Sequence, residues 1–162
     1  MTSAVQQLIA IVDQAYNRHS CHGANLRGSI RGVSAEQAAW RPAPGRHNIW
    51  EIVLHAAYWK YVARRRLTGD THRKFPLPGK DFFRRPEEDA SEIAWRRDVA
   101  LLDDEHRALR EAVAAVSSRD LARTPRGGRA GTGFYLLSGV AAHDLYHAGQ
   151  IQLLKRLFPG RS

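Results

Sequence analysis

Two histidines four residues apart, His143 and His147, with Gln150 three places further on, are the residues of this sequence best suited to chemistry. On a helix turning about 100° per residue, His147 lies about 40° from His143 and Gln150 about 20° to the other side. All three side chains then leave one helix face within about two turns. Histidines at i and i+4 make a bidentate claw for a divalent ion. The pair interrupts an apolar series, Leu136, Val140, His143, His147, Ile151, Leu154 and Phe158, whose steps are all four or three residues. Polar groups placed in a helical core cost roughly 2–7 kcal/mol each unless they are bonded. That position favours a metal. The competing reading is a pair of core histidines satisfied by hydrogen bonds to neighbours.

A third candidate sits far upstream. His55 breaks a second apolar face made of Ile52, Ala56, Trp59, Val62 and Ala63. Glu51, one turn earlier, either bonds the free ring nitrogen of His55 and orients it, or stands as an exposed acid at the helix start. An HExxH protease motif is excluded, because His143 is followed by Asp144 and the claw holds no glutamate. Asp144 is expected to make a surface salt bridge, with orientation of a ligand as the other role open to it. His106 occupies a core slot of a third periodic segment. It serves there either as a hydrogen-bonded core residue or as a fourth ligand or base near the metal. Trp59, with Trp50, Tyr58 and Tyr146, is expected to form core and pocket wall. His22 lies at a helix break, while His19, His47 and His72 read as surface residues. Cys21, the lone cysteine, closes no intrachain disulfide and is expected to be a small, partly buried residue.

Four long helical patterns position these residues. The first runs from about Ser3 to Tyr16, with a short piece at 25–31 beyond the break at Cys21-His22-Gly23. Ser34 with Gln37 is a helix-start pattern good for one turn before Pro42 and Pro44. The second long helix begins at the N-cap residue Asn48 and ends at Gly69. A connection from Asp70 to about Asp89, with Pro76, Pro78, Gly79 and Pro86, is too long for a tight turn and suits a crossover. The third helix spans about Ser91 to Val116. A Gly-, Arg- and Thr-rich linker at 117–133 is expected to be mobile, and the fourth helix runs from about Gly133 to just before Pro159. Neither a repeat nor a strand pattern is evident. These patterns predict one all-α domain over residues 1–162, a four-helix bundle with a long crossover between its second and third helices.

Composition narrows the function. The 162 residues are 43% hydrophobic, enough to bury a core without staples. The net charge is +9 and the pI about 10.4, which raises nucleic acid as a partner. The arginines, however, fall in separate short clusters: 64–66, Arg84-Arg85, Arg96-Arg97, and Arg126 with Arg129. No stacking aromatics are interleaved with them, so no specific nucleic-acid partner is expected. The N-terminal stretch has no basic lead-in, apolar run or cleavage site of a signal peptide, and no apolar run reaches the ~18 residues of a membrane span. A soluble, cytoplasmic protein without a membrane partner is the expectation.

The stretch Asn48-Ile-Trp-Glu-Ile-Val-Leu-His55-Ala-Ala-Tyr-Trp59, followed much later by Ala-Ala-His143-Asp-Leu-Tyr-His147-Ala-Gly-Gln150-Ile, resembles the DinB/YfiT-like metalloprotein superfamily. Ala38-Ala-Trp40-Arg-Pro-Ala-Pro-Gly45 adds to the resemblance, which runs over essentially the whole chain. It implies a four-helix bundle in which His55, His143 and His147 ligate a divalent ion, zinc or nickel foremost, with Gln150 as a nearby hydrogen bonder. It also implies that His22, in a His-Gly pair, borders the pocket, and that the protein pairs as a homodimer. Three protein nitrogens leave a coordination position open, the arrangement of catalytic sites. Characterised members include mycothiol-dependent maleylpyruvate isomerase and bacillithiol S-transferase. The resemblance therefore implies a low-molecular-weight thiol as co-reactant and a small electrophile as substrate. Two alternatives stand beside it. One is a metal-dependent hydrolase using Glu51, Asp144 or His106 as base. The other is a non-catalytic module that binds metal or a small molecule, a stress protein for example.

Overall fold

A computed structural model describes residues 3–19, 21–85, 89–125 and 131–160. Among them there are seven helices and no strand: α1 (Ala4–Tyr16), α2 (Leu26–Ser29), α3 (Ala35–Ala39), α4 (Ile49–Thr68), α5 (Glu92–Ala115), α6 (Ser118–Leu121) and α7 (Gly133–Leu157). Each start has a chemical cause. Ser3, Asn25, Ser34, Asn48, Ser91, Ser117 and Thr132 stand in extended conformation, and each accepts a hydrogen bond from a backbone N–H of the first turn. α4 stops at Gly69, whose φ of 73° closes the last turn on the Arg65 carbonyl. α7 stops at Phe158, the residue before Pro159.

α4 packs on α5 and α7, and α1 packs on the same two helices. Two apolar clusters fill the interior. One gathers Leu26, Ile30, Val33, Ile49, Trp50, Val53, Leu54, Trp95, Leu102, Ile151 and Leu154. Within it Trp50 donates to Asp98 (2.8 Å), and Trp95 donates to the Val33 carbonyl (2.8 Å), so neither indole N–H is buried unbonded. The second cluster gathers Leu8, Ala63, Leu109, Val113, Leu121, Leu137 and Val140. Between the two, the long helices each bring polar side chains inward: Asp13 on α1, His55 and Lys60 on α4, Glu105 and His106 on α5, Asp144 and His147 on α7.

Three sequence expectations need correction. First, the buried positions of α7 include Gly133, Leu137, Val140, Asp144, His147, Ile151 and Leu154, with Ala141 and Ala148 beside them. This is a four-and-three series, but it runs through Asp144, whereas Leu136 and His143 are only half buried. Second, the linker at 117–133 is not irregular throughout. The reciprocal hydrogen bonds of Ser117 and Asp120 build α6, and Leu121 is buried against α7. Arg126 and Arg129 fall at 126–130, outside the described residues, as does Pro86 of the 70–89 connection. Third, Cys21 is exposed. No helix of the described residues is long and apolar enough to cross a membrane.

Candidate metal centre

α4 and α7 bring His55, His143 and His147 together, their ligand atoms all within 4.8 Å of one another. The Nε2 atom of His143 lies 3.0 Å from Nε2 of His55 and 3.0 Å from Nε2 of His147. The outer ring nitrogens decide which protons point inward. His55 Nδ1 faces the Asp81 main-chain carbonyl at 3.1 Å, and a carbonyl only accepts, so Nδ1 carries the hydrogen. His147 Nδ1 donates to Gln150 Oε1 at 2.6 Å, while the Gln150 amide nitrogen faces the Tyr146 hydroxyl at 3.1 Å. Both histidines therefore turn an Nε2 lone pair toward His143. One N–H of His143 can satisfy only one of them. The other pair of nitrogens would stand 3.0 Å apart without a bond, and a cation bound by all three removes the conflict. The donor set fits a divalent metal.

Electrostatics point the same way. Burial pushes His143 down to about 3, helped by its neighbours His147, His55 and Lys60. Burial likewise pushes His147 down to about 4, against the bond that its ring donates to Gln150. His55 is lowered by burial, with the Asp81 carbonyl opposing. All three imidazoles are neutral at physiological pH, the form that ligates metal.

A segment of the α4–α5 connection closes over His55. Asp81 is in the left-handed region at φ 71°, which costs a non-glycine residue about 1 kcal/mol or more. The conformation lets the Asp81 carbonyl meet His55 while its carboxylate accepts from Trp59 Nε1 at 3.0 Å and lies 3.2 Å from His55 Nδ1. Phe82 stacks on His55 with ring centres 4.0 Å apart and planes at 11°, and His47 stacks on the other side of Phe82 at 3.7 Å. Sequence reading missed Asp81 and Phe82, because nothing in a loop composition says which loop residue meets a helix far upstream.

The remaining candidates separate. Trp59 stands edge-on to His55 (6.2 Å) and His143 (6.4 Å) and lines a cavity beside them. Glu51 neither orients His55 nor lies exposed. It is 2% exposed and accepts from Arg41 at 2.7 and 3.0 Å and from His47 Nδ1 at 2.9 Å. Burial alone would raise its carboxyl, but these bonds hold it below its ordinary value. Asp144, expected at the surface, is 1% exposed and pairs with Lys60, itself 0% exposed. Burial pushes the Asp144 carboxyl up and the Lys60 ammonium opposes the shift. His106 stays away from the three histidines. It stacks on Tyr16 at 3.8 Å and faces Asp13 at 3.4 Å, and burial pushes it down to about 3. His22 is exposed in the turn before α2 and does not line the cavity beside His143.

A family model described as the DinB superfamily matches residues 21–151. No curated protein and no solved structure matches the chain.

Proposed function

The chain belongs to the DinB superfamily, and we propose that it holds one divalent metal ion with His55, His143 and His147 and transfers or isomerises a small electrophile with the help of a low-molecular-weight thiol. The observation that carries this reading is the convergence of three Nε2 atoms whose protons are held on the far side of two of the rings. A zinc- or nickel-class ion bound there would act as a Lewis acid and lower the pKa of a coordinated thiol or water. The chain's own residues set the rest. Asp81 and Gln150 fix the His55 and His147 rings, Phe82 and Trp59 shield them, and the cavity beside His143 supplies room for an organic molecule.

The wider architecture belongs to the same proposal. α1, α4, α5 and α7 form a four-helix bundle of one domain, with residues 70–89 crossing over between its second and third members, and the outward Tyr146, Leu153 and Leu157 of α7 form a surface suited to a homodimer. The hydrolytic alternative is weakened by its bases. Glu51 is tied to Arg41 and His47, Asp144 to Lys60, and His106 lies behind Tyr16.

The test is elemental analysis of the purified protein, followed by thiol-consumption assays against a panel of electrophiles. One metal per chain is expected, falling below about a tenth in His143→Ala, since loss of one of three ligands leaves a weak bidentate site. Stoichiometric metal in that variant would sink the ligand assignment. Turnover of ester or amide substrates without added thiol would favour hydrolysis, and full metal with no turnover would favour a binding module.

A further inference from the structure

We propose that the cavity between α4 and α7 takes an organic acid with an apolar body, its carboxylate on Arg66 and facing the histidine end, its body running away from the metal centre. The catalytic meaning of this occupant rests on the proposed function; its binding does not.

The cavity holds about 420 Å³, the size of a small-molecule site. Its walls come from two antiparallel helix faces. Trp59, Val62, Ala63 and Arg66 recur at three- and four-residue steps on α4, and Leu136, Gly139, Val140 and His143 do so on α7. His143 marks one end. Pro125 and Tyr135 mark the other, about 12 Å away by the helix rise from Tyr135 to His143.

Three observations choose the occupant. The wall between the ends is apolar, so the body of the ligand is apolar. Among the described residues the cationic group on that wall is the Arg66 guanidinium and no carboxylate pairs with it, whereas its neighbour Arg64 is held by Asp70 at 2.8 Å. A guanidinium on an apolar wall is a forked donor suited to a carboxylate. Its position gives the polarity of binding. Helical side chains lean toward the N-terminus, and Arg66 folds back over the Trp59 ring, 5.8 Å from its centre. Trp59 in turn stands 6.4 Å from His143. The anionic group therefore sits on the histidine side, next to where a metal-held reactant would be. Finally, Gly139 lies in the interior of α7, about two turns from its start, where glycine is the poorest non-proline helix former. A Cβ there meets nothing within 4 Å. Packing does not demand glycine at that point; it keeps the wall open.

The probes are octanoate, butanoate and octan-1-ol, titrated into the metal-loaded protein and into the chelator-stripped protein by calorimetry. Octanoate should bind about ten-fold more tightly than octan-1-ol, the worth of one charge-assisted bond, and more tightly than butanoate by about four-fold per methylene. Arg66→Leu should remove the octanoate preference and leave octan-1-ol unchanged. Gly139→Leu should abolish binding of both while the fold and the metal content stay intact. With cobalt in the histidine site, the C2 protons of octanoate should relax faster than its methyl protons. Equal affinity for acid and alcohol, an Arg66→Leu variant that keeps the preference, or faster relaxation of the methyl would overturn the assignment. So would a groove covered by a second copy, seen as a dimer that binds no probe and dissociates on Gly139→Leu. If octanoate binds in an Arg66-dependent way to protein that takes up no metal, the metal reading fails and the pocket assignment stands. If the loaded protein binds no probe, the reverse holds.

Discussion

Two polar intrusions share the interior of this molecule and behave differently. In one, His55, His143 and His147 meet at the edge of the α4–α7 contact, beside an open cavity, and aim lone pairs at a common point. In the other, Lys60 and Asp144 meet in the middle of the same contact with no access to solvent, and the Lys60 ammonium lies 4.8 Å from the centre of the Tyr16 ring. The first group is incomplete without a ligand. The second sets a cation and a carboxylate against each other, and the ring beside them is anchored in turn, since the Tyr16 hydroxyl donates to Asp103, which is held by Arg27 at 3.0 Å. Polar groups in a core thus serve two ends: neutral lone pairs turned toward one another bind something, and opposite charges paired across two helices fix the fold.

The largest expected effect separates these ends. Lys60→Met leaves the Asp144 carboxylate buried without its cation, with Oδ1 already lacking a protein partner. The unfolding free energy should drop by about 3–5 kcal/mol in a denaturant titration, and the double variant Lys60→Met/Asp144→Leu should recover most of the loss. His143→Ala, by contrast, should leave the metal-free protein within about 1 kcal/mol of the parent while removing the metal. A Lys60→Met variant as stable as the parent would erase the distinction.

The next effect is pH. Burial holds His106 near 3 in the folded chain, against an ordinary value of 6.5 when unfolded. Below pH 6.5 the unfolded chain binds a proton that the folded chain refuses, so stability is full above that pH and is lost as pH falls toward 3. Between pH 7 and 5 this amounts to about 2 kcal/mol for His106. The metal-free His106→Gln variant should lose correspondingly less over that interval. An unchanged pH profile would show that His106 does not stay neutral in the core.

The smallest effect tests the edge group alone. Gln150→Ala removes the acceptor that fixes the His147 ring, and metal affinity should fall about ten-fold in a chelator competition. Thermal stability of the metal-free protein should not change measurably, because Gln150 lies at the edge and, among the described residues, its side chain bonds only His147 and the exposed Tyr146.

Much of this was legible in the sequence. Interrupted apolar periodicity pointed to His55, His143 and His147, and capping residues placed the helix starts to within one position. What failed was one edge of the α7 stripe: Val140, His147, Ile151 and Leu154 are buried as read, but Leu136 and His143 are only half buried and Asp144, read as outside, lies in the core. A leucine and a histidine score as better core residues than an aspartate. The packing chose Leu137 and Asp144, since Lys60 on α4 occupies the matching slot and each charge is tolerable only with the other. A single-helix pattern cannot see a partner on another helix. The same limit hid Asp81 and left Glu51 as either an orienter of His55 or an exposed acid, when its partners, Arg41 and His47, come from the chain before α4.

The Lys60–Asp144 pair has one more consequence, for alignment. Helices that touch through leucine and alanine can slide past each other by a turn at modest cost, since one apolar groove resembles the next. A buried ion pair has a single register in which both charges are compensated. Sliding α7 along α4 by one turn, about 5.4 Å, would strand Lys60 and Asp144. It would also carry His143 and His147 out of reach of His55. The pair therefore works as a registration pin: the two residues that no ligand touches set the spacing that lets three others grip one.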